Sequence, residues 1–596
     1  GQKKIPAAIV ISAGFREAGK EGFEREQELI AIAREYHIRL IGPNCLGLID
    51  TQTPLNASFA AGMPPGGPMT FISQSGALGT AVLDIAMAGE LGLAKFISLG
   101  NKADVSEIEL LQYLQDDLSS RVIMIYTEGL PNGQEFIKVS KQVSKKKPII
   151  AIKSGITQSG SRAVASHTGS LAGSEQAYQA AFEQAGILRA ESMQDLFDMA
   201  LAIAYQPPLI GKSIAIVTNA GGPGILATDA LERAGLTIAR LQIETIQKLE
   251  SVLPDAASAA NPVDVLGDAL AERYRIALEI VIQDKNVNGL LVILTPQAMT
   301  EIEQTAHVIG NIGSKSTKPI LACFMGEAKV KSGIDILNQY HIPNYPFPER
   351  AALAFQAMAK SYAILHSTHQ SQALDLQIDK KPIEQLLNSI KKENRNAVTE
   401  SESQLVAKTY GIKTPLSQLA TNANEAAEIA QQFGFPVVLK IASPDILHKT
   451  DMGGVKINLN SPSEVIDAYE LITYRAQRYL PEARIWGCLV QKMAAPGGIE
   501  VLLGMNRDPQ FGPLLTFGLG GIFVEAIKDV SFRIAPIDHQ DAFEMINEIR
   551  AHTILDGLRG KPPYDKEAIV DVLLRINQLV LDFPEIAEMD INPLVV

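Results

Sequence analysis

Apolar runs of strand length alternate with amphipathic stretches of helical period through most of the chain, a pattern that predicts α/β layers built on parallel sheets. Near the start "AAIVIS" reads as a strand, "EGFEREQELIAIAREYHI" as a helix and "RLIGPNCLGLID" as a further strand, a β-α-β order over residues 1–65. A pseudo-repeat follows. "MTFISQSGALGTAVLDIAMAGELGL" reads as strand, glycine-containing turn and helix, and "SIAIVTNAGGPGILATDALERAGL", from Ser213, reads the same way. Each copy is followed by a helical run and a buried-strand run: "IELLQYLQDD" and "VIMIYTEG" in the first, "YRIALEIVIQD" and "GLLVILTP" in the second. Generic likeness among βαβ units accounts for part of this; the matching order of parts favours two related doubly wound domains. Ligands in such sheets sit beyond the carboxyl ends of the strands, which puts residues 73–76 and 218–222 at the binding edges.

From residue 367 to 396 the chain turns polar and charged, the mark of a linker that is partly helical. Beyond it the pattern changes. "FPVVLKIAS" and "GGVKINLN" read as strands around a loop holding His448, and "RIWGCLVQKM", "IEVLLGMN" and "LLTFGLGGIFVE" read as antiparallel strands. The domains are accordingly drawn at 1–65, 66–208, 209–366 and 397–596, with the linker at 367–396.

Composition narrows the classes of function. The 596 residues suit about three to five domains at roughly 150 residues each. A formal net charge of −13 argues against duplex nucleic acid as a partner, so anionic ligands need local backbone N–H groups, lysines or a metal. Cys45, Cys323 and Cys488 are too few and too scattered for a disulfide framework or a zinc site, and point to a reducing cytosol. No apolar run reaches the ~18–20 residues of a membrane helix. The sequence opens without Met directly into a strand-like run and stops inside another, so both ends read as cuts through domains.

The candidate chemistry centres on "SRAVASHTGSLAG", residues 161–173. The preceding "PIIAIKSG" is a buried-strand signal. The following helix has Ala177, Tyr178, Ala181, Phe182 and Ala185 on one face, Ser174 as its N-cap, Glu175 in its first turn and Gly186 as its stop. His167 thus lies in a strand-to-helix loop near a helix N-terminus, where free N–H donors and the positive dipole end suit phosphate. Imidazole is also nucleophilic near neutral pH. Taken alone, His167 reads as readily as an idle loop residue, and the turns "SQSGALG" and "NAGGPG" as steric relief.

The combination changes this. "GPNCLG", "SQSGALG", "YTEG" and "SHTGSLAG" occur in that order, and "FPVVLKIASPDILHKTDMGGVKI", "FGLGGIFVE" and "MDINPL" follow. The first set resembles the α part of nucleoside-diphosphate-forming acyl-CoA synthetases, the superfamily of succinyl-CoA synthetase, and the second their ATP-grasp β part. The likeness covers essentially the whole chain and is strongest to the ADP-forming acetyl-CoA synthetase branch. It implies a multidomain α/β protein: part of a Rossmann-like CoA-binding domain, two flavodoxin-like domains and an ATP-grasp domain. It implies the reaction acyl-CoA + phosphate + ADP ⇌ carboxylate + CoA + ATP, through an acyl phosphate and phosphohistidine, with Mg²⁺, ATP or ADP and coenzyme A as cofactors and substrates.

By the same resemblance His167 is the phosphorylated residue, Glu128 the carboxylate that orients it, His448 a second relay histidine, and Asp590 the acid that pairs with histidine at the nucleotide end. Asn44, Ser73, Ser75, Gly76, Thr168 and Gly169 are the candidates for CoA, acyl and phosphate contact. Lys440, Val490, Gln491, Lys492, Met493, Glu500, Gly520 and Gly521 are those for nucleotide, and Asn592 is matched to magnesium. Cys45 is given no nucleophilic role. The resemblance places a further metal-binding carboxylate beyond Val596 and a nucleotide-binding half-domain ahead of Gly1. It also implies small-molecule partners, neither nucleic acid nor membrane, and a homo-oligomer. The rival reading is an acyl-CoA-sensing regulatory half of a lysine acetyltransferase with a fused GNAT domain; retention of "SHTGSLAG" and "MDINPL" favours a competent synthetase. Nothing in the sequence marks an Arg pair for a second substrate carboxylate, which favours a monocarboxylate such as acetate.

Overall fold

A computed structural model describes residues 3–89, 91–157, 159, 174–367, 376–446, 449–450, 452–495, 497–520, 529–557 and 562–596. The chain divides into two compact units: Gly1–His369 with Asp508–Gly512, and Gln370–Arg507 with Pro513–Val596.

In the first unit, β1 (Ala7–Ile9) and β2 (Arg39–Ile41) form a parallel pair around the helix Lys20–Glu35. β3 (Gly47–Asp50) and β4 (Leu55–Ser58) do not extend this pair, although the sequence reading placed them with it. They form the antiparallel edge of a seven-stranded sheet with β5 (Gly66–Ser73), β6 (Leu93–Ser98), β7 (Val122–Thr127), β8 (Ile149–Lys153) and β9 (Ile187–Arg189), in the order β4-β3-β6-β5-β7-β8-β9. Strands β5 to β9 run parallel. Their near-continuous apolar runs reflect cover on both faces: Met69, Phe71, Ile72, Val122, Ile123, Met124 and Ile125 are all fully buried.

A second sheet follows, from β10 (Ser213–Thr218), β11 (Thr237–Ile238), β12 (Val263–Asp264), β13 (Gly289–Leu294) and β14 (Ile320–Phe324). Its main path, β11-β10-β13-β14, copies β6-β5-β7-β8 of the first. The paired doubly wound domains expected from the pseudo-repeat are therefore present, each with its first strand central and the chain crossing to either side.

The helices Met193–Tyr205 and Pro348–Leu365 pack side by side in this unit, and Asp198, 1% exposed, joins them. Its carboxylate accepts from Arg350 Nε at 2.5 Å and Arg350 Nη2 at 2.5 Å, and from Gln194 Nε2 at 3.0 Å.

The second unit holds two antiparallel four-stranded sheets, each with its own core. One has the order β15-β18-β16-β17, from β15 (Ser417–Ala420), β16 (Val437–Ala442), β17 (Val455–Leu459) and β18 (Gly487–Lys492). The other has the order β21-β20-β19-β22, from β19 (Glu500–Asp508), β20 (Gly512–Leu519), β21 (Val530–Ile534) and β22 (Glu588–Val595). The stretch read as a linker is structural from Leu376 onward. Helix Lys381–Lys392 buries Ile383 against Tyr410, Leu579 and Phe583, and Leu376 N donates to Gln578 Oε1 at 2.7 Å. The helix expected within this stretch is amphipathic, and its narrow apolar stripe is the part that packs.

Removing Arg350 leaves a buried carboxylate short of its charged partner, whereas neutralising Asp198 leaves a guanidinium that still reaches water. Arg350→Met is expected to lower the apparent Tm more than Asp198→Asn, at a cost of about 2–4 kcal/mol. Thermal melts of the two variants check the order.

Candidate active site

The register of the first sheet gathers the candidate residues. Ser73 pairs with both Ser98 and Tyr126, and Thr127 pairs with Lys153. The turns after β5, β6, β7 and β8 therefore leave the sheet at one edge. The turn after β5 opens the helix Gly76–Met87, with Ser75 as its N-cap accepting from Leu78 N at 3.2 Å. Ser75 donates its hydroxyl proton to no acceptor among the described residues. Ser73 does not: it is wholly buried and donates to Ser75 O at 2.8 Å, so it shapes the turn and is corrected from the list of phosphate contacts. Gly76 lies against Leu46 of the "GPNCLG" turn, a Cβ there falling 3.7 Å from Leu46 N.

Glu128 follows β7 directly and is 8% exposed. Its position is set by Gln74, whose Oε1 accepts from Glu128 N at 2.8 Å and Gly129 N at 3.3 Å while Gln74 N donates to Tyr126 O. The second domain repeats part of the device. Asn219, the residue after β10, accepts from Thr295 N at 2.8 Å, the residue after β13, and Thr218 Oγ1 donates to Ala220 O as Ser73 does to Ser75 O. Where the first domain carries Glu128, the second carries Thr295. Only the first copy presents a carboxylate.

Asn44 has φ +57° and donates through Nδ2 to Asn101 Oδ1 at 3.3 Å. Asn101 is in turn held by Glu17 Oε2 at 2.6 Å and Glu26 Oε2 at 2.9 Å. Gly100 beside it has φ +57°, and a Cβ there would fall 2.3 Å from both Pro43 O and Asn44 O, so only glycine lets the two turns meet. Cys45 is buried, and desolvation raises its thiol above the ordinary range, which agrees with its lack of a nucleophilic role. All three cysteines are free and buried.

His167, Thr168 and Gly169 lie outside the described residues. Both sides of their segment are described. Ser174 caps the helix Glu175–Ala185, accepting from Ala177 N at 3.2 Å, and Gly186 ends it at φ +67°, as the sequence led us to expect. On the other side Lys153 ends β8, its Nζ 4.7 Å from the centre of the Tyr178 ring. Burial pulls the Lys153 ammonium down to about 8, opposed by Glu175 and Glu128.

In the second unit, strand alternation sorts the nucleotide candidates. Val490 is fully buried, packs with Leu439 and Ile441, and is removed as a side-chain contact. Gln491 pairs with Val438, on the same face as Lys440, and its Oε1 is buried with no hydrogen-bond partner among the described residues. Lys492 N and Met493 N donate to Leu416 O and Pro436 O. Lys440 Nζ donates to Glu400 Oε1 at 2.7 Å and Lys449 Nζ to Glu400 Oε2 at 2.5 Å. Burial pushes the Glu400 carboxyl up, but the two lysines outweigh it and leave it below its ordinary range.

On the other sheet Asp590 pairs with Gly504, and Asn592 lies two residues on along the same strand. Alternation puts Asp590 on the side away from the buried Leu503 and Met505, and Asn592 lies at a register shift between Ile591 and Leu594. Glu500 accepts at its backbone from Gly520 N at 2.7 Å, and a Cβ on Gly520 would fall 3.0 Å from Glu500 C. Asp590 is solvent-accessible, yet partial desolvation raises its carboxyl above the usual value. His448 and Gly521 lie outside the described residues. Among the described residues no three His, Cys, Asp or Glu side chains cluster as a metal site, so Asn592 and Asp590 offer hard oxygens without a complete ligand set.

The comparisons with known proteins agree with this arrangement. Residues 66–203 match the succinyl-CoA ligase like flavodoxin domain, 214–369 the Ligase-CoA domain and 389–596 the ATP-grasp domain. Acetate–CoA ligase (ADP-forming) I of Archaeoglobus fulgidus is 44% identical over the whole chain and 85% of its own length. 4-Hydroxybutyrate–CoA ligase (ADP-forming) of Nitrosopumilus maritimus is 39% identical over the whole chain and 86% of its own. A solved dinucleotide-forming acetyl-coenzyme A synthetase 1 of Ca. Korarchaeum cryptofilum, in complex with phosphate and ADP, superposes with a TM-score of 0.59 at 36% identity over 61% of this chain and 79% of that one. The chain belongs to the ADP-forming acetyl-CoA synthetase family.

For a member of this family, sequence reasoning missed three residues the structure brings to its candidate sites: Gln74, Lys153 and Glu400. Gln74 stood inside a turn read only for its serines and glycines, and Lys153 inside "PIIAIKSG", read only as a strand. Glu400 had no local signal, because its two lysine partners are 40 and 49 residues away. No helix among the described residues is long and apolar enough to cross a membrane.

The Lys153 shift makes a pH-dependent claim. Its folded value near 8 lies below the ordinary 10.5, so the native state binds fewer protons between them and stability rises with pH across that window. Lys153→Met is expected to raise the apparent Tm at pH 7, where the burial cost is fully present, and to leave it unchanged near pH 10.5. Melts from pH 7 to 10.5 check this.

Proposed function

We propose that the chain is an acyl-CoA synthetase that interconverts acetyl-CoA, phosphate and ADP with acetate, CoA and ATP through a phosphohistidine at His167. The observation that carries this reading is Glu128, a buried carboxylate fixed by Gln74 at the sheet edge where the capped helix Gly76–Met87 begins. A carboxylate accepting from one imidazole nitrogen sets the tautomer, leaves the other nitrogen free to attack phosphorus, and stabilises the charged phosphorylated ring. Phosphate attacks the acyl carbonyl and releases CoA. His167 then takes the phosphoryl group from the acyl phosphate and releases acetate, and ADP takes it from His167. Each transfer asks mainly for in-line placement and neutralised phosphate charge.

In this reading the N–H groups at the start of the helix Gly76–Met87, with the Ser75 hydroxyl, Thr168 and Gly169, hold phosphate. Asn44 stands on the CoA and acyl side. Lys440 and Gln491 face the nucleotide, the orphaned Gln491 Oε1 supplying an acceptor for a base amino group. Lys492, Met493, Glu500, Gly520 and Gly521 complete that pocket, and His448 relays the phosphoryl group toward Asp590. Asp590 would pair with the histidine there, and Asn592 would contribute an oxygen to Mg²⁺, which would supply phosphate charge neutralisation when bound. Three free buried thiols suit a reducing cytoplasm, and a homo-oligomer is the expected assembly. Acetate is preferred among acyl groups because relatives across the whole chain include acetate–CoA ligases and the sequence marks no Arg pair for a second carboxylate.

Incubation with labelled ATP and Mg²⁺ is expected to give an acid-labile, base-stable phosphoprotein, with the label lost in His167→Ala. Acetyl-CoA with phosphate and ADP is expected to yield ATP. An unlabelled wild type, or full label in His167→Ala, overturns the reading.

A further inference from the structure

The turn that carries Glu128 rests on a buried ion pair. Lys102 and Glu107 lie in the segment between β6 and β7. Both are buried, Glu107 fully, and they form a direct ion pair. The Lys102 ammonium has three N–H donors, and the structure accounts for all three. One goes to Glu107 Oε1, one to Thr127 Oγ1 at 3.2 Å, and one to Gly129 O at 2.7 Å. Thr127 and Gly129 are the residues on either side of Glu128. Thr127 Oγ1 also donates to Glu107 Oε1 at 2.9 Å, which closes a ring of contacts beneath the turn.

Gln74 holds the N–H groups of this turn and Lys102 holds its carbonyl, so the segment is gripped through both kinds of backbone group. Burial lowers the Lys102 pKa, opposed first by Glu107 and then by Glu128. Lys102 has φ +57°, a left-handed backbone that an unbranched side chain adopts at some cost. A buried ion pair is a weak source of stability compared with an apolar pair of the same volume. A strained lysine and a desolvated pair under one turn are better explained by what they do for that turn.

We propose that Lys102 is a positioning residue for phosphoryl transfer: it holds the Thr127 hydroxyl and the Gly129 carbonyl on either side of Glu128 and so fixes the carboxylate that orients the histidine. Glu107 is its counter-ion, anchored at the first position of the helix Glu107–Leu114, where the helix dipole favours a carboxylate. This rests on Glu128 orienting His167.

The test uses the full chain, labelled ATP and Mg²⁺, and reads the rate constant of histidine phosphorylation, the KM for ATP and the apparent Tm. Lys102→Met with Glu107→Gln removes both charges and relieves the unpaired carboxylate. This pair is expected to melt near the wild type, with phosphorylation slowed by about tenfold or more and the KM for ATP within about twofold. Glu107→Gln alone keeps the cation and is expected to retain phosphorylation within about threefold. Wild-type phosphorylation in the double variant overturns the proposal. Should the double variant not fold, an equal loss of rate in Glu107→Gln and Lys102→Met overturns it, because the pair would then act only as a structural unit. Glu128→Gln separates the two readings. If it phosphorylates at the wild-type rate, both fail; if it is slow while the double variant is fast, only the role of Lys102 fails.

Discussion

Two backbone N–H groups donating to one side-chain oxygen, Gln74 Oε1, hold the candidate site in shape. Without them the Glu128 turn would carry buried, unsatisfied donors at the end of a strand with no further ladder to join. With them, the residue after the central strand and the residue after its neighbour become one rigid corner. That corner stands where the first helix of the domain starts, so a carboxylate and a set of free helix N–H groups face the same space. In the proposed reaction one group orients an imidazole and the other receives an anion.

The same corner occurs twice. Asn219 and Thr295 reproduce one hydrogen bond of the Gln74 corner in the second doubly wound domain, together with the hydroxyl that bridges the turn, while Pro296 has no N–H to match that of Gly129. The architecture thus copies the support and not the chemistry. A turn that binds its own backbone with a side-chain amide is a structural solution; whether it becomes catalytic depends on one side chain placed on it. The two copies separate what the fold requires from what the reaction requires.

The nucleotide end follows another logic. Lys440 and Lys449 share the Glu400 carboxylate, so cations suited to phosphate are neutralised by a side chain. A polyphosphate entering there competes with a carboxylate already paired, which favours ligands of higher charge over those of lower charge. The face opposite Lys440 belongs to the core, and alternation along β16 and β18 decides which candidates face the ligand.

The order of strands and helices, the internal repeat, the capped helix after the histidine loop and the succession of family motifs were all legible in the residues. Each depends on local pattern: period, capping and glycine placement act over a few neighbours. The sequence also indicated Glu128, through a motif, but not why it stays in place. Gln74, Lys102 and Glu107 sit 54, 26 and 21 residues from it, and their roles arise only when the strand register brings three turns to one edge. The same holds for the assignment of β3 and β4 to the larger sheet, for the packed helix inside the supposed linker, and for the inward turn of Ser73 and Val490. Strand partners, buried charge pairs and the facing of a side chain are contacts between distant segments. Their energies come from desolvation and packing, which no single stretch of residues contains.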